Sequence, residues 1–177
     1  MRASSVWTPS ERPQYDGPLL LDTHIWIWHL EGDEAQMAAG TVALLDRAGT
    51  AAGLHVCDIS AWEIAIKARK GKLHFSVDPL VWLRRAERAP GMRGLALDRE
   101  ILLASTSLPG EMHNDPADRM LIAAAKLNNL PLVTADAQII EYATAHPGTP
   151  VVDARPPEES SRGVALLRLR RPILEPA

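Results

Sequence analysis

Five acidic side chains stand where the chain changes character. Asp22 closes the apolar run Leu19-Leu20-Leu21, Glu63 follows the apolar run that ends at Cys57, Asp115 and Asp118 bracket Pro116-Ala117, and Asp136 follows Leu132-Val133-Thr134-Ala135. Short apolar runs of this kind read as strands, so Asp22 and Asp136 lie at strand-to-helix junctions and Glu63 in the first turn of the helix after its strand. In an open parallel sheet such junctions share the carboxyl edge of the strands, which is where ligands bind. Carboxylates gathered within a few ångströms raise one another's pKa, and a divalent cation relieves the conflict. An all-oxygen donor set without a Cys or His pattern favours Mg²⁺, with Mn²⁺ as substitute, over zinc, and such ions carry water able to attack a phosphodiester. Two ions about 3.5–4 Å apart could activate that water and stabilise the leaving oxygen. The expected metal ligands and catalytic acids are Asp22, Glu63, Asp118 and Asp136.

Each acid also has a plain structural reading. Asp22 and Asp136 suit helix N-caps, and Ser60-Ala61-Trp62-Glu63 fits a capping box in which Glu63 bonds back to the Ser60 amide. Pro116 suits the first helical position with Asp115 as its cap, which leaves Asp118 to project from the helix mouth. Capping alone does not require all of these acids to share one sheet edge.

The elements that would position them follow from pattern. Strands are expected at 19–21, 54–57, 95–97, 132–134 and 151–152, and the clearest helices at 60–70, 78–88, 116–128 and 135–145. That is an α/β chain, a central parallel sheet of about five short strands between helical layers. Residues 1–18 read as a flexible leader outside the fold, 19–153 as the domain, and 154–177 as a tail that opens on a Pro- and Ser-rich linker. Within the tail, Val164–Arg171 alternates apolar and basic residues, as an edge strand or a partner-binding peptide would. With 46% apolar residues in 177, the chain can bury a substantial core. No run reaches the roughly 18–20 apolar residues of a membrane span and no signal segment is evident, so the expected location is cytoplasmic. The single Cys57 excludes an intramolecular disulfide and reads as a buried thiol. A net charge of −3 excludes a broadly basic coat, so a polyanion would have to be held locally.

Four strings then occur in order: Leu21-Asp22-Thr23-His24, Ser60 to Lys67 with Gly71-Lys72-Leu73, Leu108-Pro109 with His113 to Arg119, and Val133 to Asp136. Together they resemble the PIN-domain family, and best the subgroup with a D-T-H start, an S-x-W-E-I helix followed by G-K-L, and an H-x-D-P-x-D-R segment, over roughly residues 19–153. The resemblance implies a PIN-like three-layer α/β/α fold and a metal-dependent endoribonuclease of the VapC-like type II toxin kind. It further implies RNA as substrate, a VapB-like antitoxin as partner, and a homodimer. It carries the metal-binding role onto Asp22, Glu63, Asp118 and Asp136, and a supporting hydroxyl onto Thr134, with Asp115 and Arg119 beside them.

Other residues are open to two readings. Lys67 and Lys70, with Arg69 and Lys72, could steer RNA, or form a solvated face with an ordinary Glu63–Lys67 pair. Arg119 could meet phosphate or pair with an acid. His24 and His113 suit hydrogen-bonded positioning better than general-base catalysis. Trp26, Trp28, Trp62 and Trp82 read as core and interface filling, since base stacking would need exposure. Two rival functions remain. One is a catalytically silent interaction module on the same fold. The other is an aspartyl-phosphate enzyme built on Asp22, disfavoured because the haloacid-dehalogenase pattern wants an aspartate where His24 stands.

Overall fold

The structure, a computed structural model, describes residues 5–51, 53–110 and 115–157. The strands are β1 (Val6–Trp7), β2 (Leu19–Leu21), β3 (Leu54–Cys57), β4 (Met92–Leu95), β5 (Leu132–Thr134) and β6 (Val151–Asp153). The helices are α1 (Thr23–Glu31), α2 (Ala39–Ala51), α3 (Asp58–Arg69), α4 (Pro79–Ala86), α5 (Arg99–Thr106), α6 (Pro116–Asn128) and α7 (Ala137–Ala145), with a 3₁₀ turn at Glu34–Gln36. All strand pairs are parallel, in the order β1-β6-β5-β2-β3-β4. From β2 the chain builds outward through β3 and β4 on one side and later through β5 and β6 on the other. The β2/β5 boundary is therefore the point where strand order reverses, the crevice at which open α/β sheets bind ligands.

Strand alternation explains the three layers. Leu19 and Leu21 point into a core with Leu54, Val56, Val133 and Val152, covered by residues of α1, α2, α3 and α4. Leu20 points the other way, into a second core with Leu132, Val151 and the apolar faces of α5, α6 and α7. Both faces of β2 are buried, which is why it reads as unbroken leucine rather than as an alternation. Helix α6 is the most regular insertion: Pro116 at its first position, Asp115 Oδ1 accepting from the Ala117 amide at 2.9 Å, and Asn129 closing it in the left-handed conformation at φ 50°. Cys57 is buried as a free thiol, and burial pushes its pKa up.

Several expectations need correction. Residues 1–18 do not stand wholly outside the fold, because Val6–Trp7 adds a sixth strand along β6, in the register Val6 to Val151 and Trp7 to Val152. Trp7 is 4% exposed and packs on Tyr15 at a ring distance of 5.2 Å, with the Arg12 guanidinium 4.9 Å from its ring centre. A two-residue strand held by one indole leaves too little sequence for an alternation to show. The fourth strand is Met92–Leu95 rather than 95–97. It is an edge strand fixed by backbone pairing to β3 from Leu54–Met92 to Cys57–Leu95, so its own hydrophobicity does not choose the frame. Trp26 and Trp82 are core, whereas Trp62, 56% exposed, is not. His113 and the stretch 164–171 lie outside the described residues. Among the described residues no helix is long and apolar enough to cross a membrane.

Candidate active site

The carboxyl ends of β2 and β5 are tied to each other by side chains. Asp22, 4% exposed, is the residue before α1, and its side chain makes no capping hydrogen bond. The simple cap reading therefore fails for Asp22. The Thr134 hydroxyl, at the end of β5, donates to Asp22 Oδ2 at 2.6 Å and accepts from the Asp136 amide at 3.0 Å. On the other side His24 Nδ1 lies 3.3 Å from Asp22 Oδ1. His24 Nε2 accepts from the Ala135 amide at 3.0 Å. An amide can only donate, so the proton of this ring belongs on Nδ1, aimed at Asp22. Burial alone would raise the Asp22 pKa. The facing His24 ring, its hydrogen bond, and those from Thr134 and the Thr23 amide outweigh burial and hold the carboxyl below its ordinary value.

Asp136 does cap its helix: Oδ1 accepts from Gln138 at 2.8 Å and from Ile139 at 3.1 Å. Glu63 is placed differently from expectation. Because α3 begins at Asp58, directly after β3, Ser60 is already inside the helix and Glu63 lies in its second turn, so no capping box forms. Instead the Thr23 hydroxyl donates to Glu63 Oε2 at 2.6 Å and lies 3.0 Å from Ser60 Oγ, while Glu63 Oε1 pairs with Lys67 one helical turn on. Thr23 and Ser60, both buried, are parts of the site that residue type alone did not mark. Their signal was adjacency, Thr23 following Asp22 and Ser60 sharing a helix face with Glu63.

Asp118 reports the convergence. Its carboxyl is pushed up to about 8, by burial first and then by the charges of Asp22, Asp115, Asp136 and Glu63. Acids from the end of β2, from α3 and from the β5–α7 junction therefore lie near enough to Asp118 in α6 for their charges to be felt there. Lys67 is in the same field, facing Glu63, Asp22 and Asp118. Among the described residues no three His, Cys, Asp or Glu side chains are clustered closely enough to hold a metal ion as they stand. The donor set itself, crowded carboxylates with one member driven toward protonation, suits a hard divalent cation.

Two expected supporting residues sort apart. Thr134 sits at the centre of the network. Arg119 has a structural contact: its Nε donates to the Ser105 carbonyl at 2.9 Å, tying α6 to the end of α5. Lys70 caps α3 and makes no described contact with the acids.

The pattern that defines the PIN domain matches residues 19–145. Ribonuclease VapC22 of Mycobacterium tuberculosis (strain ATCC 25618 / H37Rv) is 28% identical over 132 residues, 74% of this chain and 96% of that protein. Among solved structures, VapBC2 from Rickettsia felis bound to a DNA fragment from its promoter superposes with a TM-score of 0.54 at 11% identity, over 76% of this chain and 96% of that one. A toxin–antitoxin complex from Klebsiella pneumoniae gives 0.52 at 22% identity, over 76% and 95%. At these identities the two structures bear on the fold alone.

Proposed function

The chain belongs to the PIN-domain family, and from that premise we propose that it is a Mg²⁺-dependent endoribonuclease, the toxin of a type II toxin–antitoxin pair. The observation that supports the reading is the side-chain network at the carboxyl ends of β2 and β5, where Thr134 and His24 hold Asp22 and Thr23 holds Glu63, beside an Asp118 carboxyl raised at a cost by burial and by these acids. A silent interaction module would have no use for that cost. The relatives point the same way: one is named a ribonuclease, and others are structures of toxin–antitoxin complexes. We extend to this chain a VapB-like antitoxin partner, RNA as substrate, a homodimer and a cytoplasmic setting.

Asp22, Glu63, Asp118 and Asp136 would hold the cation, with Mn²⁺ as an alternative to Mg²⁺. When bound it supplies a water acidified toward hydroxide and a positive charge for the phosphodiester. The chain does the rest. Thr134 and His24 fix the Asp22 carboxylate from both sides, so its orientation is set before substrate arrives. Thr23 does the same for Glu63, and the Asp136 cap holds that carboxyl at the mouth of α7. Asp118, protonated near neutral pH in the absence of a cation, must lose that proton for all four acids to act as ligands.

The test is cleavage of a single-stranded RNA by the purified, antitoxin-free chain in Mg²⁺. Wild type cleaves and loses cleavage in EDTA, while Asp22→Asn falls at least about a hundredfold. Equal cleavage by Asp22→Asn would remove the proposal.

A further inference from the structure

At the acidic edge one positive side chain has a way out to solvent. Glu63 has both carboxylate oxygens engaged, Oε2 by the Thr23 hydroxyl and Oε1 by Lys67. The first engagement is enclosed: Thr23 is 2% exposed and Ser60 beside it is fully buried. The second is loose, because the Lys67 side chain is 45% exposed and a pair one helical turn apart costs little to open. The ammonium also lies in the field of Asp22 and Asp118, so it answers the same excess of negative charge a divalent cation would answer. An ammonium and a divalent ion at one carboxylate repel each other.

We infer that Lys67 is the built-in counterion of the acidic crevice. It pairs with Glu63 while the crevice carries no divalent ion, and it yields Oε1 when one enters. This rests on the metal-dependent reading above and adds to it a residue that sets ion affinity from outside the ligand set. Of the Glu63 contacts, the Thr23 bond persists through loading and the Lys67 pair does not. Coupling of this kind is reciprocal: whatever Lys67 contributes to the ion-free protein it subtracts from ion binding.

Calorimetric titration of the full chain with Mn²⁺, without RNA, tests this in wild type, Lys67→Met and Lys67→Arg. Lys67→Met should bind Mn²⁺ about two- to fivefold more tightly than wild type, the range an exposed ion pair supports. Lys67→Arg, which keeps the charge, should restore an affinity within about twofold of wild type. In EDTA, Lys67→Met should melt below wild type, and saturating Mn²⁺ should erase that difference. Mn²⁺ affinity in Lys67→Met equal to or weaker than wild type, with measurable binding in wild type, overturns the counterion role and leaves the metal reading standing. No uptake by any of the three proteins overturns the metal reading, and the counterion role falls with it.

Discussion

Replacing Asp118 by Asn should stabilise the ion-free protein in a pH-dependent way. The carboxyl is raised from the ordinary 3.8 to about 8, and each unit corresponds to about 1.36 kcal/mol. The full shift is thus on the order of 5–6 kcal/mol of penalty on the charged form, which partial exposure discounts to about 2–3 kcal/mol. The sign follows from proton binding. Below about pH 4 folded and unfolded chains both carry the proton, and Asp118 contributes no penalty. As pH rises toward 8, the unfolded chain gives up the proton that the folded chain retains, so wild type loses stability across that window. Above 8 the loss is complete. Asp118→Asn escapes it, and its advantage should grow from near zero at pH 4 to a plateau above pH 8, where its melting temperature should exceed wild type by roughly 5–10 °C. Thermal unfolding in EDTA at pH 4.5, 6, 7.5 and 9 reads this directly, and saturating Mg²⁺ should reverse the order at pH 8. A difference that does not vary with pH would show that burial and the neighbouring acids do not raise the Asp118 carboxyl.

Thr134→Val should remove the donor to buried Asp22 and the acceptor of the Asp136 amide together; chemical denaturation should show a loss of about 1–3 kcal/mol and RNA cleavage should fall with it. Trp7→Ala should cost about 3 kcal/mol by the same measurement, since the indole is buried in the first core and packs on Tyr15; a cost under about 0.5 kcal/mol would return residues 5–18 to the status of a leader. Trp62→Ala should leave stability within about 0.5 kcal/mol, as its ring is mostly in solvent. Arg119→Lys should lower the melting temperature and leave the Mn²⁺ affinity of the folded protein unchanged, because Arg119 Nε holds the Ser105 carbonyl at the end of α5.

What the sequence made legible was set by how locally each feature is determined. Asp22 and Asp136 end short apolar strands, and a parallel sheet leaves those ends only one edge to share, so their placement follows from pattern. Asp115 as cap and Asp118 in the first turn follow from Pro116, whose fixed φ starts a helix there. Glu63 sits in a local geometry different from the one its spacing suggests. The Ser60 to Glu63 spacing mimics a capping box, but the helix starts two residues earlier, straight off β3, a choice made by tertiary packing of Ile59 and Ile64 into the two cores. Thr23, Arg119 and Trp62 escaped for a related reason. Whether a hydroxyl, a guanidinium or an indole meets a carboxylate, a carbonyl or water depends on which helix lies opposite, and no local pattern encodes that. Strand β1 is the extreme case, two residues whose pairing exists only because the edge of β6 is there to receive them.

Whether Asp22, Glu63, Asp118 and Asp136 form one pocket for a hard divalent ion can be read by anomalous diffraction from crystals soaked in Mn²⁺ at pH 8. The predicted result is density at the carboxyl ends of β2 and β5 within bonding distance of Asp22 and Asp118, with Lys67 turned away from Glu63. Fully occupied Mn²⁺ elsewhere on the molecule, with that crevice empty, would contradict it.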